Sequence, residues 1–213
     1  MSSASPRPGL DQLADRASGL LGDHRRIVLG VAGAPGSGKS SLARRLVRRL
    51  DARGVPATGV PMDGFHLADA VLDDRHLLDR KGAPETFDGH GYLALLHRLL
   101  AETDHDVFAP GFERTLEQPL AGAVVVPPAT RIVVTEGNYL LDATDPWPLA
   151  RSLMAEVWFV DLDDDRRRAR LVDRHVKHGR TREAAQAWVD AVDEPNARRV
   201  SERQAEADLV VRV

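Results

Sequence analysis

Apolar residues along this chain recur with two different periods, and the alternation between them predicts most of its elements. Leu10, Leu13, Ala14, Ala17, Leu20 and Leu21 follow a helical spacing, so a short helix comes first. Ile27 to Ala32 is an unbroken apolar, largely β-branched run, as expected of a strand buried on both faces. Leu42, Leu46 and Leu50 then return every four residues among arginines, which predicts a helix with one apolar stripe, and Gly54 sits where it should stop. Val55 to Pro61 reads as a second strand. Tyr92, Leu95, Leu96, Leu99 and Leu100 mark another amphipathic helix. Further strands are expected at Val107-Phe108, at Arg131 to Thr135, at Val157 to Val160 and at Leu209 to Val211. An arginine-rich helix should run from Asp163 to about His178. Thr181 can cap the next one, and Pro195 should break or kink it. Residues 67–88 predict a functional loop with a short helix, and 110–128 an irregular connection. Strands alternating with helices make this an α/β chain, with helices on both faces of a mostly parallel, doubly wound sheet.

Composition narrows the function classes without naming one. The 213 residues suffice for a single domain, 1–213, with a substantial core and a small helical lid at about 163–182; residues 1–9, rich in Ser, Pro and Gly, are expected to be disordered. A net charge of −3 argues against a nucleic-acid binder. Cysteine is absent, so disulfides, thiol nucleophiles and Cys-based zinc sites are not expected. No secretory leader and no membrane-spanning run are expected either, which leaves a cytoplasmic protein as the default. Whether it is a monomer or a homodimer is left open.

The chemistry begins between the first strand and the helix that follows. Gly33-Ala34-Pro35-Gly36-Ser37-Gly38-Lys39-Ser40, with Ser41 next, fits the phosphate-loop pattern G-x-x-x-x-G-K-[ST] and has the strand and the helix that the pattern requires. Glycines let successive N–H groups turn towards phosphate oxygens, and the positive end of the helix faces the same anion. Lys39 would reach the β- and γ-phosphates and the Ser40 hydroxyl would ligate Mg²⁺. The fold expected is therefore the three-layer sandwich of phosphate-loop NTPases.

In open parallel sheets ligands sit beyond the carboxyl ends of the strands, where two acids fall: Asp63 and Glu136. A kinase needs one carboxylate to orient and deprotonate its acceptor hydroxyl and another near the metal. Asp63 suits the first task and Glu136 the second. Taken alone, each has an equally good structural reading, Asp63 as a turn residue before Gly64 and Glu136 as a strand-end cap for a neighbouring helix.

Together with the phosphate loop, three further segments resemble the uridine kinase/phosphoribulokinase/bacterial pantothenate kinase superfamily, and within it the nucleoside kinase-like branch also called fructose kinase-like. They are Met62-Asp63-Gly64-Phe65-His66, Arg80-Lys81-Gly82-Ala83-Pro84-Glu85-Thr86-Phe87-Asp88 and Glu136-Gly137-Asn138-Tyr139-Leu140-Leu141. The resemblance implies an ATP- and Mg²⁺-dependent kinase acting on a hydroxyl of a sugar, nucleoside or pantothenate-like alcohol. It implies that Asp63 is the catalytic carboxylate and Glu136 the acid near Mg²⁺. It places Arg80 and Lys81 along the cleft, Asn138 and Tyr139 beside it, and Phe112 and Arg114, from Pro110 to Arg114, in the acceptor pocket. Read from its residues alone, that last segment would be called a loop. The pantothenate kinases usually carry Tyr and His where Phe112 and Arg114 stand, so the resemblance does not fix the acceptor.

The helix of residues 163–178 carries six basic residues. Arg170 and Arg174 are four apart and share a face, and they match the R-x-x-x-R pattern of the family's lid. Arg174 is the arginine expected to stabilise charge on the transferring phosphoryl group, and Arg170 to contact the nucleotide. The rest fit a solvated helix balanced by Asp163, Asp164, Asp165 and Asp173. His66 could donate a hydrogen bond to the acceptor or to a phosphate, or could be a satisfied structural histidine. His175 and His178 lie three apart with no third ligand in sight, so zinc is not expected. The alternative from another class is an NTP-binding switch or slow NTPase acting through a protein partner.

Overall fold

A computed structural model describes residues 8–213; the expectation of disorder for 1–9 falls almost wholly outside them, and Gly9 is the N-cap of the first helix. The helices are α1 (Leu10–Leu21), α2 (Lys39–Asp51), α3 (Asp69–Asp74), α4 (Gly89–Ala101), α5 (Trp147–Ser152), α6 (Asp164–Lys177), α7 (Arg182–Trp188) and α8 (Glu194–Ser201). The strands are β1 (Ile27–Ala32), β2 (Ala57–Pro61), β3 (Val107–Glu113), β4 (Gln118–Val126), β5 (Ile132–Gly137), β6 (Glu156–Asp161) and β7 (Leu209–Arg212). Five strands form one parallel sheet in the order β2-β5-β1-β6-β7.

Both β1 and β5 are buried throughout, which is why β1 reads as a continuous apolar run and β5 opens as one, with Thr135 and Glu136 as its buried polar end. Alternation then assigns the faces. Ile27, Leu29 and Val31 point to the layer of α1 and α2, with Leu13, Ala17, Leu42, Leu46 and Leu50. Val28 and Ala32 point to the opposite layer, with Tyr92, Leu96 and Leu99 of α4, Trp147 and Ala150 of α5, and Ala197 and Val200 of α8. The sheet is thus covered on both sides, giving the α/β three-layer architecture.

Two stretches depart from the sequence expectation. The irregular connection at 110–128 is instead most of an antiparallel hairpin, β3 with β4, standing apart from the main sheet and shifted in register between Ala109 and Gly111. Pro195 ends nothing: it lies in the first turn of α8, where a missing N–H is tolerated, and a π turn (Val189–Asp193) links α7 to it. Thr181 caps α7 by accepting from the N–H of Ala184 at 3.2 Å. Helix α6 packs on α7 and the π turn through Leu171, Val172, Ala185 and Val189, a small cluster separate from the two main layers. Among the described residues no helix is long and apolar enough to cross a membrane.

Candidate active site

The register of the sheet brings the chemistry to one level. Glu136 of β5 is opposite Val31 of β1 on one side and Pro61 of β2 on the other, so three strands end together. From β1 the chain enters the loop 33–38, and Lys39 is the first residue of α2. Gly36 and Gly38 have φ of 79° and 101°, conformations that glycine adopts without strain. A Cβ on Gly36 would lie 2.8 Å from Leu171 and 3.0 Å from the carbonyl oxygen of Arg167, so α6 rests directly on the loop. No side chain caps α2, which leaves its first N–H groups free for an anion.

Lys39 is buried, and burial pushes its ammonium below the ordinary lysine range, opposed by the negative charges of Glu136 and Asp63. Glu136 is buried as well. Desolvation raises its carboxyl, Asp63 raises it further, and Lys39 with the Ser40 hydroxyl pulls the other way. Its Oε2 has no hydrogen-bond partner, nor have the buried Ser37 Oγ and Asn138 Oδ1. Buried polar atoms without partners are rare in folded proteins and call for a ligand or ion. A hydroxyl and a free carboxylate oxygen beside phosphates suit Mg²⁺, which takes only one or two protein ligands and completes its octahedron with water and phosphate. Among the described residues no group of three or more His, Asp or Glu side chains gathers into an all-protein metal site.

Opposite the loop lies a cleft of about 540 Å³. Asp63 faces it from a 3₁₀ turn (Met62–Phe65) directly after β2. Gly64 allows that turn to press against β3, since a Cβ there would sit 2.4 Å from the carbonyl oxygen of Pro110. The hairpin is thereby held over the turn, and it delivers Phe112 and Arg114 to the cleft, with the Arg114 guanidinium 3.7 Å from the Asp63 carboxylate. Lys81 bonds Asp69 at 2.6 Å and the Glu117 carbonyl at 2.5 Å, and lies 5.6 Å above the Phe112 ring. Arg174 reaches in from α6, and its burial lowers the guanidinium from its ordinary value. Arg170, one turn earlier, stands beside the loop, 3.6 Å from where a Gly38 Cβ would be.

Lys39, Asp63, His66, Lys81, Phe112, Arg114, Asn138 and Arg174 therefore converge. Two expected contacts do not. Tyr139 is fully buried among Phe87 and Trp147, and its hydroxyl donates to the Gly82 carbonyl at 2.6 Å, so it braces the Arg80-Lys81-Gly82 turn from behind. Arg80 points to solvent beside Asp79 and Glu85, and only its neighbour Lys81 faces the cleft. Ser41 is exposed on α2, while Gly33, Ala34, Pro35 and Ser37 are buried in the loop. Sequence reasoning missed a further wall made of His175, Arg180, Trp188 and Asp193. There His175 bonds Asp193 at 2.8 Å and the Arg180 guanidinium stacks 4.0 Å over Trp188. No local pattern marks these residues, because the packing of α6, α7 and the π turn assembles them.

Comparison with known proteins adds an independent line. The model of the "Phosphoribulokinase / Uridine kinase family" matches residues 28–213. A Schizosaccharomyces pombe protein named "Putative uridine kinase C227.14" is 32% identical over 209 residues, 94% of this chain and 89% of its own. The Escherichia coli protein "Uncharacterized protein YggC" is 32% identical over 207 residues, 96% of this chain and 84% of its own. Among solved structures, a "putative fructose transport system kinase" from Silicibacter sp. TM1040 superposes with a TM-score of 0.87 at 38% identity, covering 95% of this chain and 98% of that one.

Proposed function

Because the chain belongs to the phosphoribulokinase/uridine kinase family, we propose that it transfers the γ-phosphoryl group of ATP to a hydroxyl of a small sugar-, nucleoside- or pantothenate-like alcohol. One observation carries this reading: Lys39 of the phosphate loop and Asp63 line the same cleft, so the nucleotide and acceptor functions would meet across it. The triphosphate lies in the loop 33–38 and on the N–H groups opening α2, with Lys39 on its β- and γ-phosphates. Ser40 and Glu136 would hold Mg²⁺, which supplies neutralisation of the phosphate charge.

Asp63 orients the acceptor hydroxyl and takes its proton. The acceptor oxygen forms its bond to the γ-phosphorus as the bond from that phosphorus to the β-phosphate oxygen breaks, and ADP leaves. Arg174 and Lys39 stabilise charge on the equatorial oxygens, and α6 with α7 forms the lid that brings in Arg174, with Arg170 at its base beside the loop. Since phosphoryl transfer depends mainly on positioning and electrostatics, the walls around Asp63 decide which alcohol reacts.

Asp63→Asn should bind ATP normally and lose turnover by about a hundredfold or more, read as ADP release across nucleosides, hexoses, pentoses and pantothenate. Near-normal turnover in that variant removes Asp63 from the reaction. ADP release by the unaltered protein at the same rate with no alcohol present would identify an NTPase instead.

A further inference from the structure

His66 sits on the acceptor side of the cleft with its ring between Phe87 and Phe112, at centroid distances of 4.0 and 4.9 Å. Its Nδ1 is 2.8 Å from the backbone carbonyl oxygen of Asp63. A carbonyl oxygen only accepts, so Nδ1 must carry the proton. The second nitrogen is then either a lone pair or, in the imidazolium, another donor. Burial between two aromatic rings disfavours the charged ring and lowers its ionisation from the ordinary histidine value. Asp63 and Glu117 oppose that effect and Lys81 adds to it. At neutral pH the ring is uncharged, with its hydrogen on Nδ1 and a lone pair on Nε2.

Nε2 has no hydrogen-bond partner among the described residues, and it is not among the sealed, unpartnered atoms of the interior. It is an unpartnered acceptor on a ring that lines the cleft. No side chain bonds it: Lys81 directs two of its three donors to Asp69 and the Glu117 carbonyl, and Arg114 faces Asp63. Asp63 and His66 are locked together, since the bond that sets the tautomer runs to the backbone of Asp63 itself.

We infer that His66 is a specificity-determining residue whose Nε2 accepts a hydrogen bond from a second hydroxyl of the acceptor, so that the substrate is a polyhydroxy compound with a free hydroxyl close to the one phosphorylated. This rests on the kinase reading and sharpens it: a simple mono-alcohol satisfies Asp63 and leaves Nε2 without a donor. The same geometry reverses the donor role that the sequence suggested for this histidine.

Two measurements test it. In uniformly ¹⁵N-labelled full-length protein at neutral pH, long-range ¹H–¹⁵N spectra, assigned by loss of one ring in His66→Phe, should show a protonated Nδ1 and a bare Nε2. A protonated Nε2 overturns the proposal whatever the substrate. In the second, acceptors are compared in pairs that differ by one hydroxyl: ribonucleosides with their 2′- and 3′-deoxy counterparts, and D-glycerate with 3-hydroxypropanoate. For any pair that is turned over, the compound with both hydroxyls should be preferred by about tenfold or more in kcat/KM, the worth of one hydrogen bond to a group otherwise left unpaired. His66→Phe should bring that ratio close to one with nucleotide affinity unchanged, and His66→Asn, which retains an acceptor oxygen, should restore part of it. Equal rates within each pair for the unaltered protein overturn the proposal while leaving the kinase reading intact. Failure to phosphorylate any alcohol counts against the kinase reading, and the spectrum still decides the tautomer.

Discussion

The two sides of the cleft are built on different principles. The proposed nucleotide side stands on strands sealed on both faces: the loop 33–38 springs from β1, Glu136 lies one residue before the end of β5, and the sheet register sets their separation. The acceptor side is assembled from short pieces, namely the turn Met62–Phe65, the Arg80-Lys81-Gly82 turn and the hairpin β3–β4 outside the sheet. Chemistry shared by a whole family is carried by the part that cannot shift without disturbing the core. On the proposed reading, the part that would choose among acceptors lies where an insertion or a changed turn costs little stability.

The largest effect should come from the first side. Lys39→Met removes the cation from the β- and γ-phosphates and should lower kcat/KM by about a thousandfold, equally for every acceptor. Steady-state rates with two unrelated alcohols check this, and a loss confined to one of them would break the division. Arg114→Met, on the second side, should change the ranking of acceptors by about tenfold in KM while the affinity for ATP, read by calorimetry, stays put. If ATP binding fell in step, the hairpin would belong to the nucleotide side.

The smallest effect is expected in the backing that both sides share. Arg199 of α8 bonds Asp142, just beyond β5, at 2.6 and 2.9 Å. Burial alone would raise that carboxyl, but hydrogen bonds from Arg199 and Thr144 prevail and hold it at about 2, below the ordinary 3.8. A carboxyl lowered on folding adds stability above its unfolded value and loses that contribution as pH falls towards the folded one. Arg199→Met should therefore reduce stability by about 1 kcal/mol near neutrality, or 2–4 °C in Tm, with the deficit shrinking below about pH 4. Thermal melts at pH 7 and pH 3 measure it. Kinetic constants should hardly move.

The same division explains what the chain revealed before its fold was known. A parallel strand buried on both faces must be largely apolar, so β1, the first half of β5 and the middle of β6 announce themselves, and a phosphate loop needs its glycines in fixed places. The hairpin leaves no such trace. Phe108 is 57% exposed, Leu120 and Val125 also face solvent, and the register shift spoils any alternation. Tyr139 belongs to the same motif as Glu136, yet a motif says nothing of direction: the backbone turns after Gly137 and the ring goes into the core. His175, Arg180 and Trp188 meet only because two helices and a π turn fold back on one another. His66 was visible as a residue, but its role depends on one bond to a carbonyl three residues back.

The contact of Gly36 with Leu171 and the Arg167 carbonyl fixes where the arm bearing Arg174 can bend. Arg167 is buried, bonds Glu194 at 2.6 Å and reaches the Pro35 carbonyl at 3.5 Å, so swinging all of α6 outward would strand one partner of a sealed ion pair at a cost of several kcal/mol. If the proposed lid moves, its pivot would come after Leu171, within the last two turns of the helix. That would shorten the lever to the segment holding Arg174 and leave Arg170, which stands beside Gly38, at its fixed end.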